Sequence, residues 1–171
     1  GTTVGTEEVV GTPSDAGDDI ESAAVELNGK LFMDFYTDEE KNEYYLTDGT
    51  EAGTTLLKDI RVGSDDSVCW NYCVTPVLFS GQVFFVAYDG TSNAIWTTDG
   101  TSEGTVQVSN FEDLEYAVAD QDEASLVVAG DNMFFGVSDE VSGEMALYKI
   151  AGSSPQLPNT GADLRATALG A

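Results

Sequence analysis

The chain reads Thr47-Asp48-Gly49-Thr50-Glu51-Ala52-Gly53-Thr54, and this phrase returns as Thr98-Asp99-Gly100-Thr101-Ser102-Glu103-Gly104-Thr105, so that Asp99 follows Asp48 by 51 positions. An internal period of this length is typical of repeat folds, in which each repeat is one supersecondary unit that stacks on its neighbours. In such folds the activity depends on a few loop residues placed on the scaffold. The sequence therefore predicts the architecture more sharply than the function.

A second recurring feature lies upstream of each phrase and joins a turn signal to an aromatic-rich apolar run. The turns are Asn28-Gly29, Ser80-Gly81 and Gly130-Asp131, and the corresponding aromatic residues are Phe32, Phe84 and Phe134. This pattern is typical of a hairpin turn that enters a buried strand. With a third strand ending in an aromatic residue and a fourth after the Asp-Gly-Thr turn, each unit holds about four short strands, as in a β-propeller blade.

We therefore predict an all-β, β-propeller-type fold of about three four-stranded blades within residues 1–153. The repeats cover residues 21–74, 75–124 and 125–153, and residues 154–171 form a tail that contains Pro and Gly. Residues 1–12 resemble the last strand of a repeat, because Gly1–Val10 aligns with Gly49–Lys58. This N-terminal strand completes either the C-terminal blade or a neighbouring subunit's blade, which would remove exposed sheet edges. Typical rings hold about four to eight blades, so further blades or further copies are needed.

The charge composition excludes several classes of partner. The chain has 31 Asp and Glu residues, 6 Lys and Arg residues and no His, which gives a formal net charge of −25. Nucleic acids are bound through clustered Lys and Arg, so we predict no nucleic-acid partner. There is no run of about 18 apolar residues, so we predict no membrane insertion. Such acidity suits a salty, divalent-rich medium that screens self-repulsion, and we predict an extracellular or cell-surface location.

The sequence lacks the motifs of a nucleophile triad. Without His and without a Gly-x-Ser-x-Gly elbow, a nucleophile triad has no support, and we predict that the chain is not an enzyme. A glycoside hydrolase that uses a pair of carboxylates stays a distant alternative, because acidic residues are abundant and no one pair stands out.

Two cysteines, Cys69 and Cys73, enclose Trp70 and Tyr72. In a secreted protein this spacing favours a local disulfide, whereas two thiols without His make a poor zinc site. A loop tied in this way would present two aromatic rings for stacking on a sugar or for contact with a protein. Burial of the rings against the next blade is the alternative.

The repeated phrases resemble the bacterial repeat family named for its Glu-Leu-Trp-x-x-Asp-Gly-Thr (ELWxxDGT) consensus. The first copy is Glu43-Tyr44-Tyr45-Leu46-Thr47-Asp48-Gly49-Thr50, the second keeps Trp96 before Asp99, and the third, at Glu144–Tyr148, loses the Asp. The resemblance covers about residues 1–150. It implies a large secreted or surface bacterial protein with a propeller-like fold, and it implies no reaction.

Asp48 and Asp99 have two interpretations. In the structural one, the carboxylate accepts the N–H of the Thr two residues on, Gly takes the positive φ of the turn, and Thr50 and Thr101 bond across strands. In the functional one, each aspartate is a calcium ligand, with other oxygens completing the shell. The loop acids Asp38, Asp89 and Asp139 are open to the same two interpretations, a solvated loop or a cation site on one blade face.

The tail contains a short segment that fits the Leu-Pro-x-Thr-Gly sorting signal of Gram-positive surfaces, namely Leu157-Pro158-Asn159-Thr160-Gly161. No apolar span follows it, so a chance match is the alternative. Taken together, the sequence predicts a non-catalytic surface module for adhesion to a glycan or protein ligand, with calcium as the one cofactor considered. The alternative is a self-assembling subunit of a surface layer or filament, in which copies of the chain complete each other's blades by strand exchange.

Overall fold

The computed structural model describes residues 24–37, 41–63, 66–68, 74–91, 93–108, 126–138 and 145–152. These residues form eleven strands in three antiparallel sheets, and no helix occurs among them. The prediction of an all-β chain is confirmed. Within the described ranges there is accordingly no helix that could span a membrane.

Each sheet follows the order of its strands along the chain. The first contains β1 (Val25–Leu27), β2 (Lys30–Thr37), β3 (Lys41–Thr47) and β4 (Thr55–Leu56). The second contains β5 (Val77–Phe79), β6 (Gln82–Tyr88), β7 (Asn93–Thr98) and β8 (Val106–Gln107). The third contains β9 (Val127–Ala129), β10 (Asn132–Ser138) and β11 (Met145–Ala151). The registers match, because Phe32, Phe84 and Phe134 each pair with the equivalent residue of the next strand.

The hairpin turns form at the predicted positions. Asn28 and Gly29 have φ angles of 54° and 79°, and Ser80 and Gly81 have φ angles of 52° and 79°. Two successive positive φ angles match the right-handed twist of the flanking strands and join them in two residues. Asn and Gly tolerate this backbone region best, which explains the first turn fully and shows Ser80 to be the costlier choice.

The fourth strands are shorter than the sequence predicts. The expected strand Thr54 to Ile60 is reduced to Thr55–Leu56, although the Leu57 N–H still donates to the Tyr44 carbonyl at 2.9 Å. After Leu57 the chain no longer pairs with β3 and turns towards the second sheet. There the Lys58 ammonium donates to the Thr105 carbonyl at 2.7 Å. In the described residues the third sheet has three strands instead of four, and the N-terminal strand predicted to complete it lies outside them.

Two apolar cores join the three sheets into a row. Between the first and second sheets pack Leu27, Phe32, Tyr44, Leu46, Val83, Phe85 and Trp96, among others. Between the second and third sheets pack Phe79, Phe84, Val86, Ile95, Met133 and Phe135, among others. Strand β6 alternates between the two cores and is buried on both faces, which explains its unbroken apolar sequence.

The connection between the first two sheets supplies backbone hydrogen bonds as well as apolar contacts. The Ser67 N–H donates to the Asn42 carbonyl at 3.1 Å, and the Ser67 carbonyl accepts the Tyr88 N–H at 2.8 Å. One residue therefore links β3 of the first sheet to β6 of the second.

The first strands of successive sheets lie beside one another, since β1 contacts β5 and β5 contacts β9. The second sheet is thus the middle of the row, and the first and third are its ends. The described residues do not close this row into a ring.

Candidate functional site

The repeated phrase folds into a compact turn between β3 and β4, which we call the first clasp (Thr47–Thr54). The Asp48 carboxylate accepts two hydrogen bonds from Thr50 at Oδ1, from the backbone N–H at 3.0 Å and from the hydroxyl at 2.7 Å. The Thr50 oxygen Oγ1 in turn accepts the Gly53 N–H at 3.0 Å. The aspartate therefore acts as a cap on its own turn, as the structural interpretation requires.

A second chain of hydrogen bonds ties the two ends of the first clasp together. The Thr54 hydroxyl donates to the Thr50 carbonyl at 2.8 Å, so its single proton is used there. The bond of 2.7 Å between the Thr47 and Thr54 hydroxyls is therefore donated by Thr47, whose oxygen also accepts the Gly49 N–H at 3.1 Å. The bond across the strands is made by these two threonines, not by Thr50 as the sequence predicts, because Asp48 and Gly53 engage the Thr50 hydroxyl.

The second clasp (Thr98–Thr105), between β7 and β8, repeats this network. Asp99 Oδ1 accepts the Thr101 N–H at 2.9 Å and the Thr101 hydroxyl at 2.7 Å, and the Thr98 and Thr105 hydroxyls lie 2.8 Å apart. The two threonines at its base are fully buried, at 0% exposure. The same residue types at the same spacing therefore produce the same local structure twice.

Each clasp needs two glycines for two different reasons. Gly49 and Gly100 have φ angles of 91° and 96°, a backbone region that favours glycine. At Gly53 there is no room for a side chain, because an added Cβ would lie 1.9 Å from Asp48 Oδ1. At Gly104 the corresponding distance to Asp99 Oδ1 would be 2.0 Å. In the sequence, Gly53 and Gly104 are recognisable only because they recur at the same position of the repeat. The reason for glycine there becomes visible in the structure, where the aspartate carboxylate lies against the backbone.

The environment of Asp48 changes its acidity. The Thr50 hydroxyl, and after it the Thr50 backbone N–H, donate to the charged carboxylate and lower the pKa of Asp48 below its ordinary value. The carboxylate is solvent-exposed and ionised at neutral pH, and it stays available as an anion on the surface.

The clasps lie at the same end of the strands in the first and second sheets, which we call the clasp end. Thr47 pairs with Leu31 and Thr98 pairs with Val83, so both clasps lie beside the hairpin turns. The clasp end also joins neighbouring sheets, because the Asn28 side-chain amide donates to the Asp99 carbonyl at 3.2 Å. An analogous bond of 3.2 Å runs from the Ser80 hydroxyl to the Gly152 carbonyl.

Asp89 lies at the opposite end of the second sheet, since Tyr88 and Asn93 are paired and the loop between them follows β6. Its Oδ1 accepts the Thr91 N–H at 2.8 Å and Gly90 has a φ of 95°, so this turn begins like a clasp but lacks the second Gly-Thr pair. The five acids considered as calcium ligands therefore do not form a single site: Asp48 and Asp99 lie at one end and Asp89 at the other. Asp38 and Asp139 lie outside the described residues.

Two acidic residues of the first sheet are buried, although the sequence did not single them out. Asp34 is 2% exposed and Glu43 is 1% exposed, and Glu43 accepts a hydrogen bond from the Ser67 hydroxyl. Asp34 pairs with Tyr44, the neighbour of Glu43, so the two carboxylates point to opposite faces of the sheet. They do not form the carboxylate pair that a glycoside hydrolase would need.

The remaining predicted sites are outside the described part of the chain. These are the disulfide Cys69–Cys73, the aromatic residues Trp70 and Tyr72, and the segment Leu157–Gly161. Within the described ranges no group of three or more His, Cys, Asp or Glu side chains is arranged to hold a metal ion. The calcium interpretation thus stays a prediction for all five acids. No family model, curated protein or solved structure matches this chain.

Proposed function

We propose that the chain is an extracellular, non-catalytic binding module of β-propeller type, and that its ligand-binding surface is the clasp end. The observation that carries this proposal is the contrast within the clasps. Their hydrogen-bonded positions are the same in both copies, whereas the two exposed positions at each tip differ, Glu51-Ala52 in one and Ser102-Glu103 in the other. A fixed framework that presents variable exposed residues is the usual arrangement of a binding surface.

Three features support the propeller arrangement. Within each of the three successive sheets the strands are antiparallel and are arranged in the order in which they occur along the chain. The first strands β1, β5 and β9 lie side by side, as the innermost strands of blades do. The resemblance of both clasps to the Asp-Gly-Thr repeats of ELWxxDGT proteins points to the same fold and to a bacterial surface location.

The chemistry of the clasp end favours a ligand that carries hydroxyl groups and binds through calcium. Asp48, Asp99, Glu51 and Glu103 are all exposed there, in a chain whose net charge is −25. Calcium takes six to eight oxygen ligands and combines carboxylates with neutral oxygens, which sugar hydroxyls can provide. A protein ligand with a basic surface is the other partner that this charge would attract.

The test is binding of the full chain to an array of immobilised glycans, first with calcium and then with a chelator. We expect binding to at least one glycan that the chelator abolishes, and a strong decrease in the double variant Glu51→Gln, Glu103→Gln. The matched control is Asp89→Asn, which removes one carboxylate at the opposite end and keeps an acceptor for the Thr91 N–H. Binding lost equally in the control, or no glycan bound at all, would contradict the proposal.

A second function, assembly by strand exchange, is favoured by the edge of the third sheet. In the described residues β11 pairs with β10 alone, whereas β3 and β7 each have a fourth strand beside them. The Leu57 and Val108 N–H groups donate to the Tyr44 and Ile95 carbonyls. By alignment of the repeats, Val9 and Leu147 are the equivalent residues for the third sheet, so we propose that residues 1–12 of a neighbouring chain pair with β11.

Strand exchange can be tested with prolines, because proline has no backbone N–H. Val9→Pro removes the donor that the alignment directs at Leu147 and should lower the mean solution mass of the protein. Val10→Pro is the control, since the adjacent N–H would point away from the sheet, where proline is tolerated. An unchanged assembly in Val9→Pro would exclude strand exchange.

A further inference from the structure

The end face of the first sheet carries apolar side chains around the buried Glu43 and Tyr45, and part of this face is more exposed than its counterpart in the middle of the row. The side chains that point away from the second sheet include Leu31, Met33 and Phe35. The same positions of the second sheet are Val83, Phe85 and Ala87, which pack against the first sheet. Leu31 is 39% exposed, whereas Val83 is 0% exposed.

The end face of the third sheet also exposes apolar side chains whose counterparts in the second sheet are buried. Its side chains that point away from the second sheet include Val127, Phe134 and Leu147. The same positions of the second sheet are Val77, Phe84 and Ile95, which pack against the third sheet. Leu147 is 49% exposed, whereas Ile95 is 1% exposed.

These two end faces are the two halves of one interface that already occurs twice inside the chain. In the first occurrence the Phe32 face of the first sheet packs on the Val83 face of the second. In the second occurrence the Phe84 face of the second sheet packs on the Met133 face of the third. The Phe134 face, which no other described sheet covers, is equivalent to the Phe32 and Phe84 faces. The Leu31 face, on which no other described sheet packs, is equivalent to the Val83 and Met133 faces.

We infer that a second copy of this chain docks the Leu31 face of its first sheet on the Phe134 face of the third sheet, head to tail. The internal interfaces show that these two surface types fit each other in this sequence. A head-to-tail contact is heterologous, so it closes into a ring if the rotation per sheet allows. Two copies would contribute six sheets, which is within the range of about four to eight blades found in propellers.

This assembly uses side-chain faces and no backbone edge. It therefore depends neither on the glycan-binding function nor on the exchange of residues 1–12 proposed above. Substitutions on the faces leave the donors of Val9 and β11 unchanged, and Val9→Pro leaves both faces unchanged, so the two modes of assembly can fail separately.

The experiment is the solution mass of the full chain by light scattering at micromolar concentration, for the wild type and for single variants of each face. We expect the wild type to have at least twice the chain mass of 18.1 kDa. In a chain that also carries Val9→Pro, which removes strand exchange, Leu31→Asp and Leu147→Asp should each reduce the mass to that of a single chain. The control is Val62→Asp, which adds the same charge at an apolar residue that is 88% exposed and lies on neither face; it should assemble like the wild type.

Mixing the two face variants distinguishes a head-to-tail contact from a symmetric one. Each variant keeps one intact face, and the intact faces are complementary, so an equimolar mixture should recover a species of two chains that neither variant forms alone. Far-UV circular dichroism confirms that each variant is folded. If Leu147→Asp does not fold, Val127→Asp, which is on the same face and is 50% exposed in the wild type, replaces it.

Three results would overturn the inference. They are a wild type of single-chain mass, an assembly of the Val9→Pro chain that survives both face variants, and a mixture in which the two variants remain separate.

Discussion

At Gly53 the backbone lies directly against the Asp48 carboxylate, while Gly49 is distinguished by its positive φ. The two glycines of the clasp are therefore constrained differently, one by the space beside its Cα and the other by its backbone angle. Gly104 and Gly100 repeat the distinction in the second clasp. A residue type that recurs in a motif can thus have two physical causes, which call for different tests.

Replacing Gly53 with alanine should destabilise the protein. The added methyl carbon would lie 1.9 Å from Asp48 Oδ1, so the carboxylate must move and its bonds to Thr50 weaken. Overpacking of this kind costs about 1–3 kcal/mol of unfolding free energy, which urea denaturation would measure.

The control is the same change in a chain that carries Asp48→Ala. Without the carboxylate the clash is absent, so Gly53→Ala should cost clearly less there, and the double-mutant cycle gives the coupling between the two positions. Equal costs in both backgrounds would show that the close contact does not cause the destabilisation.

The hydrogen bonds to Asp48 predict a specific dependence on pH. Because they lower the pKa of the folded carboxyl below its unfolded value, their contribution to stability is fully present above the ordinary aspartate pKa of about 3.9 and is lost as the pH falls through the folded value. Asp48→Asn keeps an acceptor but does not titrate. The difference in unfolding free energy between wild type and variant should therefore shrink on acidification.

Urea denaturation at a series of acidic pH values would measure this difference. Glu51→Gln controls for the removal of a charge from the same clasp, since its side chain is exposed. A difference between wild type and Asp48→Asn that stays constant down to the lowest pH would contradict the assignment.

Among the elements, β3 contributes the residue that fixes the first sheet to the second. Tyr44 stacks on Phe32 with ring centroids 5.0 Å apart and meets Phe85 of the second sheet at 4.6 Å. Its hydroxyl donates to the Val86 carbonyl at 2.8 Å. The apolar contact between the sheets thus includes one directed polar bond, which sets how far the strands can slide past each other.

Tyr44→Phe should lower the free energy of unfolding by about 1–3 kcal/mol, because the buried Val86 carbonyl would lose this donor. Thermal or urea unfolding would measure the loss. Tyr88→Phe is the control: it deletes a hydroxyl from a half-buried ring that lies under Arg61 and keeps that contact, so its effect should be smaller. Equal effects would indicate that the bond to Val86 contributes no more than the control hydroxyl.

The sequence predicted the elements where the cause is local. Hairpins at Asn28-Gly29 and Ser80-Gly81 and aromatic strands after them follow from turn chemistry and apolar runs. The length of the fourth strand could not be predicted, because Leu57 and Ile60 pack into a core completed by the second sheet. The link from Ser67 to Asn42 and Tyr88 was also missed, since it joins residues distant in sequence.

At the scale of the whole molecule, the charge is the dominant property. A formal net charge of −25 on 171 residues creates repulsion that opposes the compact state. Two of the described cations lie against aromatic rings, since Lys58 is 5.8 Å from the Trp96 ring centroid and Arg61 is 5.1 Å from that of Tyr88, and the chain has 31 acidic residues against 6 basic ones. Most of the acidic charge must therefore be balanced by ions from the medium.

Stability should increase with ionic strength. The distance over which charges interact falls from about 10 Å at 0.1 M salt to about 3 Å at 1 M, so added sodium chloride should raise the urea midpoint of unfolding. Potassium chloride at equal concentration is the control, because both salts screen alike. A midpoint that stays level or falls with sodium chloride would contradict this expectation.

The clasp also has a consequence for the order of the polypeptide. Strands β4 and β8 are two residues long, too short to select their own partner, and the clasp holds each of them next to the strand that precedes it in sequence. In the third repeat Ala151-Gly152 replaces the Asp-Gly of the clasp. Without a clasp, the segment that follows β11 in sequence is not held beside it. The strand that pairs with the open edge of β11 can therefore come from another part of the same polypeptide or from another chain. The loss of the clasp residues in the third repeat, where Ile150 and Ala151 stand at the positions of Thr47 and Asp48, thus makes the fold permissive to circular permutation at this point.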